Sequence, residues 1–399
     1  MIELIGKRTE NAKTFDLGKG KFRQEICIGA VHYKDDYKDA KEQFKDIDLT
    51  WKDNKITKAP YTLERIGNKI IVFDKKTGQT GTIELTDIGA TTLSAASFDS
   101  VKTAEVVKDV DVEIIPAPDS IRFQTVIKDP TALAELKYNV TGDIPIKYSA
   151  VDADGDAVPL ITSLEKGVLT ESVDAKSFTS AKSDKTAIKY PIKIDPTLTV
   201  QGSGADCHVY QALPTTNLST ETAVALYNYA GYVQRTIIKM SLSSLPAGSS
   251  ISSSTLSLYY YVYTGTNPNG KPITVYKVRR ADWVEAEATW NIYKTGSNWG
   301  TAGCANTSTD IDTSKTTSAN YPASYGWIAF DVKGITEDAQ SNSLDFNVRL
   351  SQELTNVVTR FYSKEYAGDT SLRLKLVIEY TEATGSLPPF MHYYQKIMR

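Results

Sequence analysis

The chain has 399 residues, enough for two or three domains that each bury a core without disulfide support. Its 45 lysines and arginines nearly cancel its 48 aspartates and glutamates, so no large positive field is available to hold a phosphate backbone. Nucleic acid is therefore not an expected partner. Membrane insertion is not expected either, because no stretch has the roughly eighteen apolar residues that a spanning helix needs.

The first segment, "MIELIGKRTENAKTF", lacks the apolar stretch and the small-residue cleavage site of a signal peptide, so we see no export address. Residues 39–47, "DAKEQFKDI", are predicted to form about two helical turns. Most of the remaining chain has period two, which is typical of strands. Residues 68–85, "NKIIVFDKKTGQTGTIEL", predict a β-hairpin in which Gly78 takes a positive φ.

A domain boundary is predicted in "YPIKIDPTLTVQGSGAD" (190–206), where two prolines and a Gly-Ser-Gly element follow a strand. We place a β-rich N-terminal region at 1–196, either as one unit or as two subdomains of about 1–100 and 101–196. A second domain follows at 197–381, and 382–399 form a linker and an apolar tail. The tail is expected to dock on its own chain or on a neighbour through Phe390, Met391, Tyr393 and Tyr394.

No cofactor is expected. The cysteines Cys27, Cys207 and Cys304 are too few and too scattered for a disulfide framework or a zinc site, and free thiols are favoured over a bridge between Cys207 and Cys304. Asp310 and Asp312, in "STDID", could hold a calcium ion, but a turn is the favoured interpretation.

The second half has the clearest strand patterns. In "SSTLSLYYYVYTG" (253–265), Leu256, Leu258, Tyr260 and Val262 alternate with Ser257, Tyr259, Tyr261 and Tyr263. "SLRLKLVIEY" (371–380) alternates in the same way. Several such strands separated by turns predict an all-β protein: a β-rich N-terminal region followed by an antiparallel jelly-roll β-sandwich.

An ordered series of motifs in this half resembles the DNRLRE-domain family, a group of jelly-roll modules classed with carbohydrate-binding modules. The series runs through Asp206 and Val209, "PTTN" (214–217), "RTIIKMSLSSLPAG" (235–248), "STLSLYY" (254–260), "WVEAEATWN" (283–291), "FDV" (330–332) and "SLRLKLVIEY" (371–380). The sequence departs from the family pattern at Leu218–Ser219, Met240 and Ser371. The resemblance implies a jelly roll over 197–381. More faintly, "KDIDLTW" and "YPIKIDPTL" resemble β-rich regions of phage-encoded and cell-wall-associated bacterial proteins.

The segment "ADWVEAEATWN" (281–291) contains the carboxylates of Glu285 and Glu287, which an extended strand would place roughly 7 Å apart. That spacing suits a glycosidase, but any pair of residues two apart in a strand satisfies it. No GxSxG element or Cys-His motif accompanies the three histidines. We therefore expect no enzymatic activity, and we assign architectural roles to Trp283, Glu285, Trp290 and Asn291.

Carbohydrate binding is better supported by aromatic residues whose opposite strand face belongs to the core. Tyr259, Tyr261 and Tyr263 are expected to line the outer face, with rings suited to pyranose stacking. Alternatively, the first half or a second subunit covers this row. Tyr293 and Trp299, in a Gly-rich loop, form a second candidate platform.

These features predict an adhesion or structural protein that contacts a surface polysaccharide. Such modules act outside cells, yet no export address is visible. A phage virion component, tail-associated or head-decorating and bound to other virion proteins or to itself, reconciles the two. One alternative is a secreted or wall-associated bacterial carbohydrate-binding protein, located outside the cell or in the cell wall. The other is a polysaccharide-cleaving enzyme.

Overall fold

The computed structural model describes residues 1–86, 101–132, 135–153, 158–174, 188–200, 204–229 and 231–383. Regular structure in these ranges is almost entirely antiparallel β-sheet, which confirms the predicted all-β class. No helix in the described part of the chain combines the length and the apolar character required to cross a membrane.

The chain begins with β1 (Ile2–Glu3), β2 (Ala12–Gly18) and β3 (Lys21–Cys27), and a short pair follows, β4 (His32–Tyr33) with β5 (Lys45–Asp46). The helix predicted for 39–47 is wrong, since this stretch holds turns and β5. The carboxylates of Asp36 and Asp39 accept hydrogen bonds from backbone N–H groups two residues further on. Such local bonds stabilise turns at the expense of a helix.

The described residues between 55 and 199 form a β-sandwich of two sheets around one hydrophobic core. Its strands are β6 (Lys55–Ile56), β7 (Tyr61–Ile66), β8 (Lys69–Asp74), β9 (Thr80–Leu85), β10 (Val101–Val107), β11 (Val110–Ala117), β12 (Ser120–Ile127), β13 (Glu135–Gly142), β14 (Ile146–Val151), β15 (Leu160–Glu165), β16 (Val168–Val173) and β17 (Ile192–Thr199). The first sheet has the order β15-β16-β13-β9-β8-β7-β6 and the second the order β10-β11-β12-β17-β14. The pairing of β8 with β9, turning at Gly78 with a φ of +76°, confirms the predicted hairpin.

A jelly-roll module follows, with strands that curl around a second core. Its strands are β18 (Gly204–Tyr210), β19 (Ala223–Tyr229), β20 (Tyr232–Met240), β21 (Ser250–Gly265), β22 (Pro272–Val278), β23 (Ile292–Lys294), β24 (Ser297–Asn298), β25 (Ile311–Asn320), β26 (Gly326–Asp331), β27 (Phe346–Gln352), β28 (Val357–Tyr362) and β29 (Lys375–Thr381). As predicted, Leu256, Leu258 and Tyr260 of β21 point into this core.

One helix that the sequence did not predict, α1 (Lys333–Ser341), packs on the module and buries Ile335, Thr336 and Ala339. The Thr336 hydroxyl hydrogen-bonds to the Ser254 hydroxyl of β21 over 2.7 Å. Two short 3-10 turns lie at Ile5–Lys7 and Thr370–Leu372.

The N-terminal strands are part of the module's sheet. Strand β3 pairs with β29, so residues near the two ends of the described chain are neighbours in register. Ile26 lies opposite Leu376, and both are fully buried in the module core. The sandwich is thus an insertion between β3 and the remaining module strands. The division of the chain into domains at 1–196 and 197–381 stays a prediction.

Replacing Ile26 by Ala should lower the free energy of unfolding by about 2–4 kcal/mol, because a fully buried aliphatic side chain is truncated. It should also accelerate amide hydrogen exchange in β29, which mass spectrometry of the exchanged protein would detect. Lys21→Ala, at an exposed position of the same strand, serves as the control and should change stability by under about 0.5 kcal/mol. Unchanged exchange in β29 for the Ile26 variant would contradict a structural role of β3 in the module.

A buried carboxyl group makes the stability of the sandwich depend on pH. Glu171 of β16 is fully buried, and burial together with the charge of Asp195 raises its pKa to about 8. A group whose pKa is higher in the folded state stabilises the fold below its unfolded pKa. That contribution is lost as the pH rises through about 8.

Glu171→Gln removes this titration. The unmodified protein loses stability as Glu171 ionises, whereas the variant does not. The difference in free energy of unfolding between the variant and the unmodified protein should therefore increase by roughly 2–4 kcal/mol when the pH rises from 5 to 9. Urea unfolding followed by circular dichroism at both pH values measures the difference. The exposed Glu165→Gln is the control and should show no such trend. An equal response of the two variants to pH would refute the assignment.

Candidate functional site

The loop between β22 and β23 forms a small satellite core with the outer side of the sheet. Trp283 is 1 % exposed, and its indole N–H donates to the Asn347 side-chain oxygen over 2.8 Å. Trp290 packs in the same cluster. The Asn291 side chain is exposed, while its backbone N–H donates to the Pro214 carbonyl over 3.1 Å. Burial of the two indoles anchors this loop on the sheet.

Tyr293 and Trp299 do not form an exposed platform. Both rings are buried in the satellite core, and the Trp299 indole N–H donates to the Thr289 carbonyl over 2.9 Å. The expectation that these two rings stack on sugar is therefore corrected: their faces are covered by neighbouring side chains.

All three cysteines are free thiols.

Asp310 closes the Gly-rich loop through hydrogen bonds. Its carboxylate accepts from the backbone N–H groups of Gly300, Thr301 and Asn306 at 2.8–3.0 Å. Asp312 forms an ion pair with Arg279 over 3.1 Å and accepts from the Ser314 hydroxyl. These donors satisfy the carboxylates that we had considered as calcium ligands, in line with the favoured turn.

A buried charge cluster centres on Glu285. Its carboxylate accepts hydrogen bonds from the Lys364 ammonium group at 2.7 Å to each oxygen, from Lys147 at 3.1 Å and from the backbone N–H of Asp206 at 2.9 Å. Lys364 follows β28 and Lys147 belongs to sandwich strand β14. Glu285 therefore joins the Trp-containing loop, the module sheet and the sandwich.

The charges in this cluster shift the pKa values of its carboxyl groups in opposite directions. Burial raises the pKa of Glu285, but Lys364 and Lys147 outweigh burial and leave it below its usual value. Burial and the charge of Glu285 raise the pKa of Asp206 to about 6, and burial raises that of Glu365 well above its usual value.

Asp206, Glu285 and Glu365 each offer a carboxylate oxygen, and these oxygens lie within 4.8 Å of one another. A divalent cation would favour such oxygens. The two lysine ammonium groups already supply positive charge at Glu285. The cluster is thus suited to a structural role.

A ladder of aromatic rings crosses the outer face of the module. The tyrosine ladder, as we name it, consists of Tyr259, Tyr261, Tyr362 and Tyr366. Tyr362 lies at its centre, with ring centroids 5.7 Å from Tyr259, 4.3 Å from Tyr261 and 3.7 Å from Tyr366, all with nearly parallel planes.

Tyr362 and Tyr366 were not predicted from the sequence. The strand pattern of "VVTRFY" could have predicted the orientation of Tyr362. Tyr362 directly follows the buried Phe361 and therefore faces outward. Tyr366 lies in a turn-rich segment beyond the strand, where periodicity carries no information about its neighbours.

Tyr263 is not part of the ladder. The pairing of β21 with β28 shifts register between Tyr260 and Val262, and the residues beyond this bulge change sides. Tyr263 consequently packs against the module core and lies 6.3 Å from Tyr325. The expectation that Tyr263 lines the outer face with Tyr259 and Tyr261 is wrong for this geometric reason.

Both ends of the ladder are covered. A Cβ at Gly368 would lie 2.5 Å from the Tyr366 hydroxyl oxygen, so the Tyr366 ring packs closely between Gly368 and Tyr362. At the other end, Trp327 meets Tyr259 edge to face at 5.4 Å and carries the Lys375 ammonium group 4.6 Å above its ring. Trp327 is 37 % exposed. The four tyrosines of the ladder are half-buried, and Trp327 adds exposed ring surface.

The predicted docking residues of the tail, Phe390, Met391, Tyr393 and Tyr394, lie outside the described residues.

Comparison with protein families matches residues 198–380 to the model of carbohydrate-binding module family 96. The match covers the module from just before β18 almost to the end of β29. This part of the chain is therefore similar to a carbohydrate-binding module, and its all-β fold is consistent with that similarity.

Comparison with curated proteins finds similarity along nearly the whole chain. The tRNA nuclease WapA of Bacillus subtilis strain 168 is 21 % identical over 460 aligned residues, and the tRNA3(Ser)-specific nuclease WapA of Bacillus spizizenii is 22 % identical over 467. The tRNA(Glu)-specific nuclease WapA of Bacillus subtilis subsp. natto is 21 % identical over 460. Each alignment covers 98 % of this chain and 18 % of the relative, so the chain spans less than a fifth of these proteins.

These comparisons change two expectations. The expectation of a protein without enzymatic activity is overturned, because the relatives are named nucleases. The virion assignment gains no support, since the relatives are bacterial proteins. The alternative of a bacterial carbohydrate-binding protein fits the family match and the relatives better.

Glu285→Gln should destabilise the protein by about 3 kcal/mol or more, because it removes the carboxylate that pairs with the buried ammonium group of Lys364 and the half-buried one of Lys147. Urea unfolding followed by the fluorescence of nearby Trp283 and Trp290 measures the loss. The control is Glu287→Gln, which affects one hydrogen bond from the Thr295 backbone and should cost about 1 kcal/mol. Similar losses for both variants would argue against a special role of Glu285.

Proposed function

We propose that this chain binds carbohydrate through its module as part of a bacterial protein that acts outside the cell or at the cell wall. The family match over residues 198–380 is the observation that carries the proposal. The bacterial relatives support the choice of a bacterial protein over a virion component. The resemblance to DNRLRE-domain modules adds a finer assignment, which we retain as part of this proposal.

The tyrosine ladder and Trp327 are the proposed contact surface. Stacked rings hold the four tyrosines in fixed positions, so little side-chain entropy is lost when a ligand binds. Their hydroxyl groups hydrogen-bond sugar hydroxyls, and the exposed indole of Trp327 packs on the apolar face of a pyranose ring. This differs from stacking on the tyrosine faces, which are occupied by one another.

A second candidate function follows from the names of the relatives. Similarity over 98 % of this chain favours a contribution to a tRNA-cleaving protein. Incubating the purified chain with a tRNA pool and resolving the products by electrophoresis tests this candidate. Cleavage would support it, whereas intact tRNA would leave this chain with a role other than catalysis.

The carbohydrate proposal is tested by glycan-array binding of the full chain, followed by titration of variants. Trp327→Ala should weaken binding about tenfold or more through loss of apolar contact. Replacing Tyr259, Tyr261 and Tyr362 together by Phe keeps the rings but removes three hydroxyl groups. Affinity should fall roughly 10- to 100-fold, at about 0.5–1.5 kcal/mol per hydrogen bond.

The matched control is Tyr232→Phe, which removes a hydroxyl from a half-buried tyrosine at the start of β20. It should bind like the unmodified protein. Unaltered binding by the folded triple variant would rule out recognition through the ladder. Failure of the unmodified protein to bind any glycan would rule out the proposed function.

A further inference from the structure

Two arginine side chains lie side by side on the face of the module sheet that carries the satellite core. Arg235 of β20 pairs with Val209, and Arg349 of β27 pairs with Ile237. Val209 and Ile237 both belong to the satellite core, and paired residues of neighbouring strands point to the same side. The sheet order β21-β28-β19-β20-β27-β22 places β19 between these arginines and the strands of the tyrosine ladder.

The Gly-rich loop holds the two guanidinium groups in place. Nη1 of Arg235 donates to the Gly303 carbonyl, and Nη1 of Arg349 donates to the next carbonyl, that of Cys304, each over 2.8 Å. Cys304 has a φ of +57°, a left-handed conformation that residues other than glycine rarely adopt. A Cβ at Gly303 would lie 2.6 Å from Nη1 of Arg235. The loop backbone therefore fits closely against both groups.

Aromatic rings fix the orientation of the same two groups. The Arg235 guanidinium lies over the Trp290 ring at 5.2 Å, and that of Arg349 lies over the Tyr276 ring at 4.6 Å. Such contacts orient a guanidinium plane and attract its charge, but the ring itself carries no net negative charge. Both cations are thus positioned without being neutralised.

The positive charge of this pair is not compensated by the described part of the chain. Within it, neither guanidinium group forms an ion pair with a carboxylate, since Asp310 and Asp312 pair with other arginines, Arg280 and Arg279. Burial and the charge of Arg349 lower the pKa of Arg235 to about 10. Two like charges in a partly desolvated place are costly unless an anion joins them.

Donor groups for such an anion remain free. Arg349 is 5 % exposed, and its Nε is buried without a hydrogen-bond partner. The Ser351 hydroxyl accepts from Nη2 of Arg349 over 3.4 Å, which leaves its own proton for a ligand. Arg235 and Ser351 are half-buried, so the pair is open to solvent on this side.

We propose that Arg235, Arg349 and Ser351 bind a phosphate group carried by a glycan. The tetrahedral oxygens of a phosphate can accept from two guanidinium groups and a hydroxyl together, and its charge of up to two offsets two cations. A nucleic acid is the less suitable source, because the chain, with a net charge of −3, lacks an extended positive field. The choice of a glycan rests on the proposed function, whereas phosphate binding itself does not.

Calorimetric titration of the full chain with inorganic phosphate, at constant ionic strength, tests the site. The unmodified protein should bind phosphate with a Kd on the order of 1 mM. Arg235→Gln should weaken binding about tenfold or more, because charge-assisted hydrogen bonds to the phosphate are lost. Ser351→Ala removes one hydroxyl and should weaken binding roughly 2- to 10-fold.

Arg279→Gln is the matched control, because it removes one positive charge from an exposed residue that is already paired with Asp312. It should bind phosphate like the unmodified protein. Equal losses in the Arg235 and Arg279 variants would attribute binding to overall charge and overturn the site. Phosphate should also raise the Tm of the unmodified protein but not that of the folded Arg235 variant.

Titrations with glucose phosphate, glucuronate and a dinucleotide distinguish the ligand classes. Glucose phosphate should bind at least as tightly as inorganic phosphate. Tighter binding of glucuronate would overturn phosphate as the ligand group, and tighter binding of the dinucleotide would overturn a glycan as its source. Absence of phosphate binding by the unmodified protein would overturn this inference and leave glycan binding through the ladder intact. Phosphate binding by a protein that recognises no glycan would instead overturn the proposed function and the glycan source.

Discussion

The Glu285 carboxylate is the point on which the arrangement of the whole molecule depends. It binds two ammonium groups and one backbone N–H that come from three separate parts of the chain. A buried charge is costly unless it is paired, and here each partner offsets the desolvation of the others. Because a carboxylate accepts only in defined directions, the cluster fixes orientation as well as proximity, which an apolar contact would not do.

A second contact across the same junction works with this cluster. Arg373, just before β29, lies 3.3 Å from the Asp119 carboxylate of the sandwich, and both side chains are buried. A Cβ at Gly29 would lie 2.4 Å from Asp119 and 2.6 Å from Arg373, so the backbone must pass close to this pair. The N-terminal strands, the sandwich and the module therefore meet where only glycine leaves enough room.

Local patterns explain which parts of this structure could be predicted. The alternation of Leu256, Leu258 and Tyr260 determines which face of β21 is buried, and it placed Tyr259 and Tyr261 correctly on the other face. A bulge between Tyr260 and Val262 reversed the pattern for Tyr263, and the sequence carries no signal for this bulge. Tyr293 and Trp299 show a related limit: residue type suggests a binding platform, but only the fold shows that other side chains cover it.

Long-range contacts could not be predicted in the same way. Strand β3 contains an ordinary alternation, yet nothing in it indicates that its partner is β29, some 350 residues away. The same holds for Glu285, whose hydrogen-bonding role could be anticipated from its loop, while Lys147 and Lys364 could not. Charged residues recur throughout the sequence, and their pairing depends on the register of strands that are distant in the chain.

The two comparisons match different lengths of this chain. The carbohydrate-binding family match stops at the module, whereas similarity to the bacterial nucleases extends over 98 % of this chain and so includes the sandwich and the N-terminal strands. A sandwich that served only as a spacer would not need buried ion pairs to fix its angle to the module. Lys147 with Glu285 and Asp119 with Arg373 fix that angle. The two ion pairs therefore hold the sandwich and the module in one orientation, because each pair joins a side chain of one unit to a side chain of the other.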